Sequence, residues 1–453
     1  MKNRGIMSAA VRRDPPDPES ISTTPSSVGS KPLSVAIVGS GPSALFTAEA
    51  LLESGRQVEV AIIERLPVPF GLVRFGVAPD HQTTKRASDS MDAVLAMPGV
   101  RLYGNVEVGK DISLPELRSL FDAVVLATGA SRDRRLGIEG EDLAHVVGSS
   151  AMVGWYNGHP DHTALSPGLG ESSAVIIGMG NVALDIARIL AKAVDLLAET
   201  DIARHALAAL ALSNVQDIYI VGRGSPRQAK FSYPELREIQ SLENTVLVTD
   251  PLAFPASAAP GTSKAQTRIF DLLKSFAANH PGSKRKRIHF VFDSRPVEIC
   301  GKDSVESLLV EERIFGQKRV RRILCGLVVT AIGYRSTPMA DTAFDDARMI
   351  VPNTAGLVDD RLFAAGWIGR GSSGVIGTNK PDAYRVAAQI ADAGPAPDRP
   401  GYPGLENTLR DRNVRWVSRE SWLRIDAVER SSGGARNKLV DVEEMLKAAG
   451  LSV

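Results

Sequence analysis

Two glycine-rich turns, each entered from a short apolar run, constrain this chain more than any other feature. The first is GSGPSA, Gly39 to Ala44, after Val35-Ala36-Ile37-Val38; the second is GMGNVA, Gly178 to Ala183, after Ala174-Val175-Ile176-Ile177. A strand that turns directly into a helix leaves unpaired N–H groups at the helix start, and these groups with the helix dipole attract a pyrophosphate. Gly39 takes the tight turn, Gly41 lets the backbone approach the phosphates, and Ala44 keeps the helix close to the strand, with Ser43 in the same turn. Gly178, Gly180 and Ala183 repeat the spacing, with Met179, Asn181 and Val182 between them. The pair predicts an α/β chain with two dinucleotide-binding domains.

The strands that answer the two turns end in opposite charges. Val58 to Ile63 ends at Glu64, whereas Asp217 to Val221 ends at Gly222-Arg223. A carboxylate at that place accepts hydrogen bonds from ribose hydroxyls and repels a 2′-phosphate; an arginine pairs with the phosphate through charge-assisted bonds. The first turn is therefore expected to take a dinucleotide with a free ribose and the second to take NADP(H), a combination that points to a hydride relay. An alanine- and leucine-rich stretch, Leu184 to Leu212, separates the second turn from its strand and reads as one long helix or two.

Composition removes several other classes. At 453 residues and 43% hydrophobic content, the chain is long enough for two or three domains. A net charge of +1 gives no global field for nucleic acid or membrane. No apolar run is long enough to span a bilayer. The two cysteines, Cys300 and Cys325, form no CxxC, which excludes a dithiol redox centre and an iron–sulfur cluster held by this chain's own thiols. A reducing, cytoplasmic setting fits. Residues 1–30, rich in Pro, Ser, Thr and Asp without an apolar stretch, read as a disordered tail rather than a signal or transit peptide, with Met7 a second possible start.

Ordered structure is expected from Leu33. The run Leu66 to His81 is too apolar for a plain surface loop and is expected to line a ligand; a helix follows over Lys85 to Met97, then short β elements including Gly104 to Val108. Ala123 to Ala130, with Gly129 in its ATG ending, reads as a buried strand, with Leu327 to Tyr334 as its partner. The second turn lies between them, so the parse is one domain inserted in another: 31–132 and 334–453 form the first, 133–333 the second. Residues 395–404 read as a surface linker.

Longer strings carry a family likeness. VPFGLVRFGVAPDH (Val68 to His81), GNVEVG (Gly104 to Gly109), GWYNGHP (Gly154 to Pro160), GNVALDIARIL (Gly180 to Leu190), AAGW…RG…GVIGTNK (Ala364 to Lys380) and the tail motif Trp422 to Asp426 resemble the adrenodoxin-reductase type of ferredoxin–NADP reductase. The resemblance implies two Rossmann-like domains, with FAD at the first turn and NADP at the second. It puts Glu64 on the FAD ribose, Leu72, Val108 and Gly129 among further FAD contacts, and Trp367 with Gly374-Val375-Ile376 against the isoalloxazine. Met179, Gly180, Asn181 and Val182 would hold NADP, with Arg223 on the 2′-phosphate and Glu235 near the nicotinamide. His81 and Asp185 would form an acid/base pair beside the flavin. The implied activity passes electrons from NADPH through flavin, one at a time, to a ferredoxin; the chain is expected to act as a monomer. A flavin-dependent NADPH oxidase or monooxygenase is the alternative.

One departure stands out. The family carries two adjacent arginines at the phosphate site, and here the second position is Gly224; Arg227 or Lys230 are the candidate replacements. Plain alternatives exist for several residues: a capping histidine for His81, a structural hydrogen bond for Asp185, a core aromatic for Trp367 and a solvated helix start for Glu235. The basic run Lys284 to Arg287, with Arg319, Arg321 and Arg322, offers either a docking face for an acidic partner or ordinary solvated hairpins.

Overall fold

Runs of valine and isoleucine bounded by glycine become strands covered on both faces, and such strands suit parallel sheets. In the computed structural model, which describes residues 31–451 apart from 255–262, 281, 283, 315–316 and 432, two six-stranded sheets arise in this way. The tail expected over residues 1–30 lies outside the described residues.

The first sheet runs, in spatial order, Leu357–Asp359, Leu362–Ala364, Ala123–Leu126, Leu33–Val38, Val58–Glu64 and Val100–Gly104. All its pairings are parallel except the hairpin joining its first two strands. The second runs Val146–Gly148, Leu327–Thr330, Ser173–Ile177, Asp217–Val221, Lys286–Val291 and Thr245–Thr249, parallel throughout. Every strand of the second sheet falls between Ala123–Leu126 and Leu357–Asp359 of the first, so one Rossmann-like unit is inserted in the other. A short antiparallel pair, Arg132–Asp133 with Tyr334–Arg335, marks where the chain leaves and returns.

The expected pairing of Ala123–Ala130 with Leu327–Tyr334 does not form. Leu327–Thr330 lies in the second sheet between Val146–Gly148 and Ser173–Ile177, and only the flanking residues meet in the two-stranded link. Both runs are apolar on every side, and such runs name no partner by themselves. The alanine-rich stretch forms three helices, Asn181–Ala191, Val194–Ala198 and Arg204–Ala211. The helix expected over Lys85 to Met97 is split into Gln82–Lys85 and Ala87–Leu95, and the strand after it, Val100–Gly104, ends where Asn105 takes φ +60°. The expected linker over 395–404 is pinned to the first sheet's layer. Ala396 N–H donates to Asp122 at 2.7 Å, Gly401 N–H donates to the Leu120 carbonyl at 2.8 Å, and the Tyr402 ring is buried.

Each sheet has apolar cores on both faces. A three-stranded antiparallel sheet, Ser294–Gly301, Val305–Ile314 and Gln317–Leu324, packs Ile299, Leu308, Val310 and Ile323 against Val175, Ile177 and Val221 of the second sheet. Helices cover the opposite face. The carboxyl ends of both sheets are left to loops, the place where open α/β sheets bind ligands.

Candidate functional site

The two glycine turns are built alike. Gly39 has φ +110°, its N–H donates to the Ile63 carbonyl at 2.7 Å, and a Cβ there would lie 2.5 Å from the Ala127 carbonyl oxygen. Gly178 has φ +145°, its N–H donates to the Val221 carbonyl at 2.8 Å, and a Cβ would lie 2.2 Å from the Ala331 carbonyl oxygen. In each case the turn is wedged between the ends of two parallel neighbours, and no other residue fits. The helices that follow, Pro42–Leu52 and Asn181–Ala191, start at Gly41 and Gly180 with no side-chain cap. With no side chain capping either first turn, an anion can meet the helix start in both places.

Around the first turn, Gly41 faces Gly71: a Cβ on Gly71 would sit 3.1 Å from the Gly41 Cα. This makes a trough with backbone walls. Glu64 is oriented by the turn itself, accepting from Ser40 N–H at 3.1 Å, Ser40 Oγ–H at 2.6 Å and Leu66 N–H at 3.0 Å. Ser43 packs against Gly366, whose imagined Cβ would lie 1.9 Å from Ser43 Oγ. That contact brings the segment after Leu362–Ala364 onto the trough. Ala44 is fully buried. Leu72 is 42% and Val375 70% exposed, apolar surface that a flat ring would cover. Val108 and Ile376 each pack one side on a core cluster. Gly129, at φ +71°, borders open space.

The Trp367 loop is stapled by one arginine. Arg370 donates to Asp382, to the Ser373 carbonyl at 2.5 Å and to Asn379 Oδ1 at 2.9 Å, while Trp367 Nε1–H donates to the same Ser373 carbonyl at 2.9 Å. Gly374, at φ +82°, turns the chain between them. The Trp367 ring is half-buried and stacks on Tyr334, with 6.1 Å between the ring centres.

Around the second turn, Met179 packs where a Gly222 side chain would stand, and Val182 leans on the core. Asn181 Oδ1 accepts from Ser232 N–H at 2.7 Å. Arg223 is exposed at the end of its strand, and that strand does lie beside Ser173–Ile177. Gly224 leaves room for Gln228, which caps Ser225. Arg227 stacks its guanidinium on Phe270, 5.5 Å from the ring centre.

His81 ends the apolar loop that begins beside the first trough, and it meets the helices of the second turn. Its Nε2 shares a 3.0 Å hydrogen bond with Glu238 and lies 3.5 Å from Glu235. Its Nδ1 is 3.9 Å from Asp185. The expected His81–Asp185 pair is therefore an electrostatic contact, not a hydrogen bond; Glu238 is the hydrogen-bond partner. Arg188 sits beneath, 2.9 Å from Asp185 and paired with Asp80 at 2.8 and 2.9 Å; Lys192 adds a 2.9 Å bond to Asp80.

This packing sets the charges. Burial raises the Asp185 carboxyl against the pull of Arg188 and His81, and burial together with the Asp185 charge raises Glu235. Burial works against His81, but the Glu238 hydrogen bond and the Asp185 and Glu235 charges outweigh it and Arg188, and the imidazole ends above its ordinary value. Asp80 goes the other way: burial is overcome by Arg188 and Lys192, which hold it below the usual carboxylate range. The cluster thus sets three groups raised toward holding a proton, His81, Asp185 and Glu235, beside two carboxylates held ionised, Asp80 and Glu238. His81, Glu235 and Glu238 bring ligand atoms within 4.8 Å of one another, but Arg188, 3.7 Å from both carboxylates, already supplies the positive charge.

Sequence reasoning missed Asp80, Arg188, Lys192 and Glu238. Asp80 precedes His81, and Arg188 and Glu238 stand three residues after Asp185 and Glu235, one turn along the same helix faces; that spacing was the available signal. The basic run Lys284 to Arg287 is mostly consumed internally. Lys284 and Lys286 donate to the Thr245 and Leu190 carbonyls at 3.1 and 2.8 Å, and Arg287 pairs with Asp217.

Comparison with known proteins gives one consistent answer. The model of the pyridine nucleotide-disulphide oxidoreductase family matches residues 34–212, although Cys300 and Cys325 are both free. A mitochondrial NADPH:adrenodoxin oxidoreductase of Arabidopsis thaliana is 39% identical over 94% of this chain and 97% of its own. The NADPH-ferredoxin reductase FprA of Mycobacterium tuberculosis is 38% identical over 92% and 99%. A solved structure titled Mycobacterium tuberculosis FprA in complex with NADPH superposes with a TM-score of 0.88 at 36% identity, covering 92% of this chain and all (100%) of that one.

Proposed function

The chain belongs to the adrenodoxin-reductase type of NADPH–ferredoxin reductases, and from that premise we propose that it binds FAD at the first glycine turn and NADP(H) at the second, and passes electrons from NADPH one at a time to a ferredoxin-type iron–sulfur protein. FAD, when bound, supplies a ring that takes two electrons together and gives them up singly. The chain's own residues bind, orient and shield. Gly39, Gly41, Ser43 and Ala44 present the uncapped helix start to the FAD pyrophosphate, and Glu64, already aimed by Ser40 and Leu66, takes the ribose. Leu72, Val108, Gly129, Trp367, Gly374, Val375 and Ile376 form the walls that exclude water from the flavin. Met179, Gly180, Asn181 and Val182 hold the NADP(H) pyrophosphate, Arg223 pairs with the 2′-phosphate, and Glu235 borders the nicotinamide. His81 and Asp185, with Glu238, hold a proton where the two rings would meet.

The observation that carries this reading is the 3.9 Å contact of His81 with Asp185. It joins the loop that follows Val58–Glu64 to the helix springing from the second turn, which supports a reading in which the two nucleotides approach one another there. The domain reading follows: 31–132 with 334–453 for FAD, 133–333 for NADP(H). The same reading takes the chain as a monomer working in the cytoplasm; among the described residues no helix is long and apolar enough to cross a membrane. Anaerobic addition of NADPH is expected to bleach the flavin absorbance, and an oxidised ferredoxin added next to restore it. A flavin that stays yellow under excess NADPH would sink the reading. NADPH consumption that requires oxygen and a small organic substrate would favour an oxidase or monooxygenase instead.

A further inference from the structure

We propose that Lys230 is a phosphate-binding residue of the pyridine-nucleotide site, directed to the pyrophosphate, and that discrimination between NADPH and NADH is left to Arg223. This rests on the NADP(H) reading of the second turn. The chain leaves its strand at Val221, passes Arg223, makes a short 3-10 turn at Pro226–Gln228, and returns alongside the glycine turn. The return is fixed by one backbone bridge and one side-chain bond. Lys230 N–H donates to the Met179 carbonyl at 2.8 Å, Lys230 pairs in parallel with Gly180, and Ser232 N–H donates to Asn181 Oδ1 at 2.7 Å. Lys230 is therefore one backbone pairing from the glycine that starts the helix Asn181–Ala191, whose first turn has no side-chain cap.

The other cations of this segment are placed differently. Arg223 sits back at the strand end, where the ribose of a dinucleotide lies in this topology. Arg227 is committed to the Phe270 ring, with its Nε buried. Gly224 brings no charge. Lys230 is exposed, so its ammonium is free to turn toward an anion, and the anion presented at an uncapped helix start is the pyrophosphate. A pyrophosphate contact differs from a 2′-phosphate contact in one measurable way. Both NADP and NAD carry a pyrophosphate, so Lys230 strengthens both without telling them apart. Only Arg223 meets the group that distinguishes them.

Titration calorimetry on the oxidised, flavin-loaded protein with NADP⁺ and with NAD⁺ separates these roles. Lys230→Ala is expected to raise both dissociation constants by the same factor, roughly 5- to 20-fold, and Lys230→Arg to restore them. Arg223→Gln is expected to raise the constant for NADP⁺ and leave that for NAD⁺ in place. Weakening of NADP⁺ alone by Lys230→Ala would move Lys230 to the 2′-phosphate and overturn the proposal, as would no change for either nucleotide. Should the unaltered protein bind neither nucleotide, the NADP(H) reading itself fails, and this inference with it.

Discussion

At the scale of single residues, His81 is where the design is most exposed to pH. Its imidazole is raised above the ordinary value despite burial, because Glu238 accepts its hydrogen bond and Asp185 and Glu235 add negative charge. A histidine with a raised folded pKa binds its proton more tightly in the folded state. The resulting stability is complete below the unfolded value, near pH ~6.5, and is lost as pH rises through the higher folded value. His81→Gln should therefore destabilise the protein more at pH 6 than at pH 9. The difference should be small, about 0.5 kcal/mol, since water screens a partner whose side chain is 40% exposed. Urea unfolding at the two pH values measures it, and an equal loss at both would mean that the hydrogen bond does not depend on the histidine's charge. Asp185 Oδ1 and Glu235 Oε2 are buried without a well-aligned hydrogen bond, and the charges of Arg188 and His81 answer them through ion pairs of 2.9 to 3.9 Å.

At the scale of elements, the paired turns do the same work in two places, so they can be broken one at a time. A methyl group on Gly178 would be driven into the Ala331 carbonyl at a φ of +145°, and one on Gly39 into the Ala127 carbonyl at +110°. Each substitution costs roughly 2–4 kcal/mol if the backbone holds, and the backbone can yield only by displacing the helix behind it. Gly178→Ala should abolish NADP⁺ binding and leave the flavin in place; Gly39→Ala should yield colourless protein. Absorbance of the purified variants, followed by NADP⁺ titration of the yellow one, checks both. A Gly39→Ala protein that keeps its flavin would show that the first turn is not what grips it. The spacing of these turns was plain in the sequence because a strand, a glycine and a helix start are consecutive. The pairing of Leu327–Thr330 was not, since a run buried on both faces carries no period to show which neighbour it joins.

At the scale of the whole molecule, three distant segments meet in one buried polar node. Lys85 follows the apolar loop, Asp201 belongs to the inserted segment and Lys438 to the C-terminal stretch. Asp201 lies 3.4 Å from Lys85 and 3.0 Å from Lys438, and both ammonium groups donate to Asn157 Oδ1 at 3.1 Å. Burial pushes both lysines down, Lys438 well below its ordinary value, with Asp201 pulling back. Next to the node, Glu429 bonds Arg74 and Arg436 and takes the Leu439 N–H at 2.9 Å. One carboxylate thus serves two buried lysines. Asp201→Asn should cost about 3–5 kcal/mol because it strands both cations, whereas Lys438→Met, which removes the surplus charge, should cost far less. Denaturant midpoints of the two variants decide it, and a larger loss for Lys438→Met would show that packing of the lysine stem, not charge, holds the node. The arrangement also explains why the C-terminal stretch belongs to the fold: its charges are spent between the two Rossmann-like units.

Sequence alone determined what each local segment offers. It showed two turns able to hold a pyrophosphate, a carboxylate at one strand end and an arginine at the other, and strings that resemble one family of flavin reductases. These are properties of consecutive residues, and covalent order enforces them. Tertiary structure decided which of those offers meet. His81 found Glu238, not Asp185, as its hydrogen-bond partner; Arg188 came under the cluster to neutralise it; Lys284, Lys286 and Arg287 found partners within the chain; Lys85 and Lys438 came to share Asp201. The reason is physical. Burying charge is tolerated only where partners from remote segments arrive together, and their arrival is settled by how the two sheets and the C-terminal stretch pack.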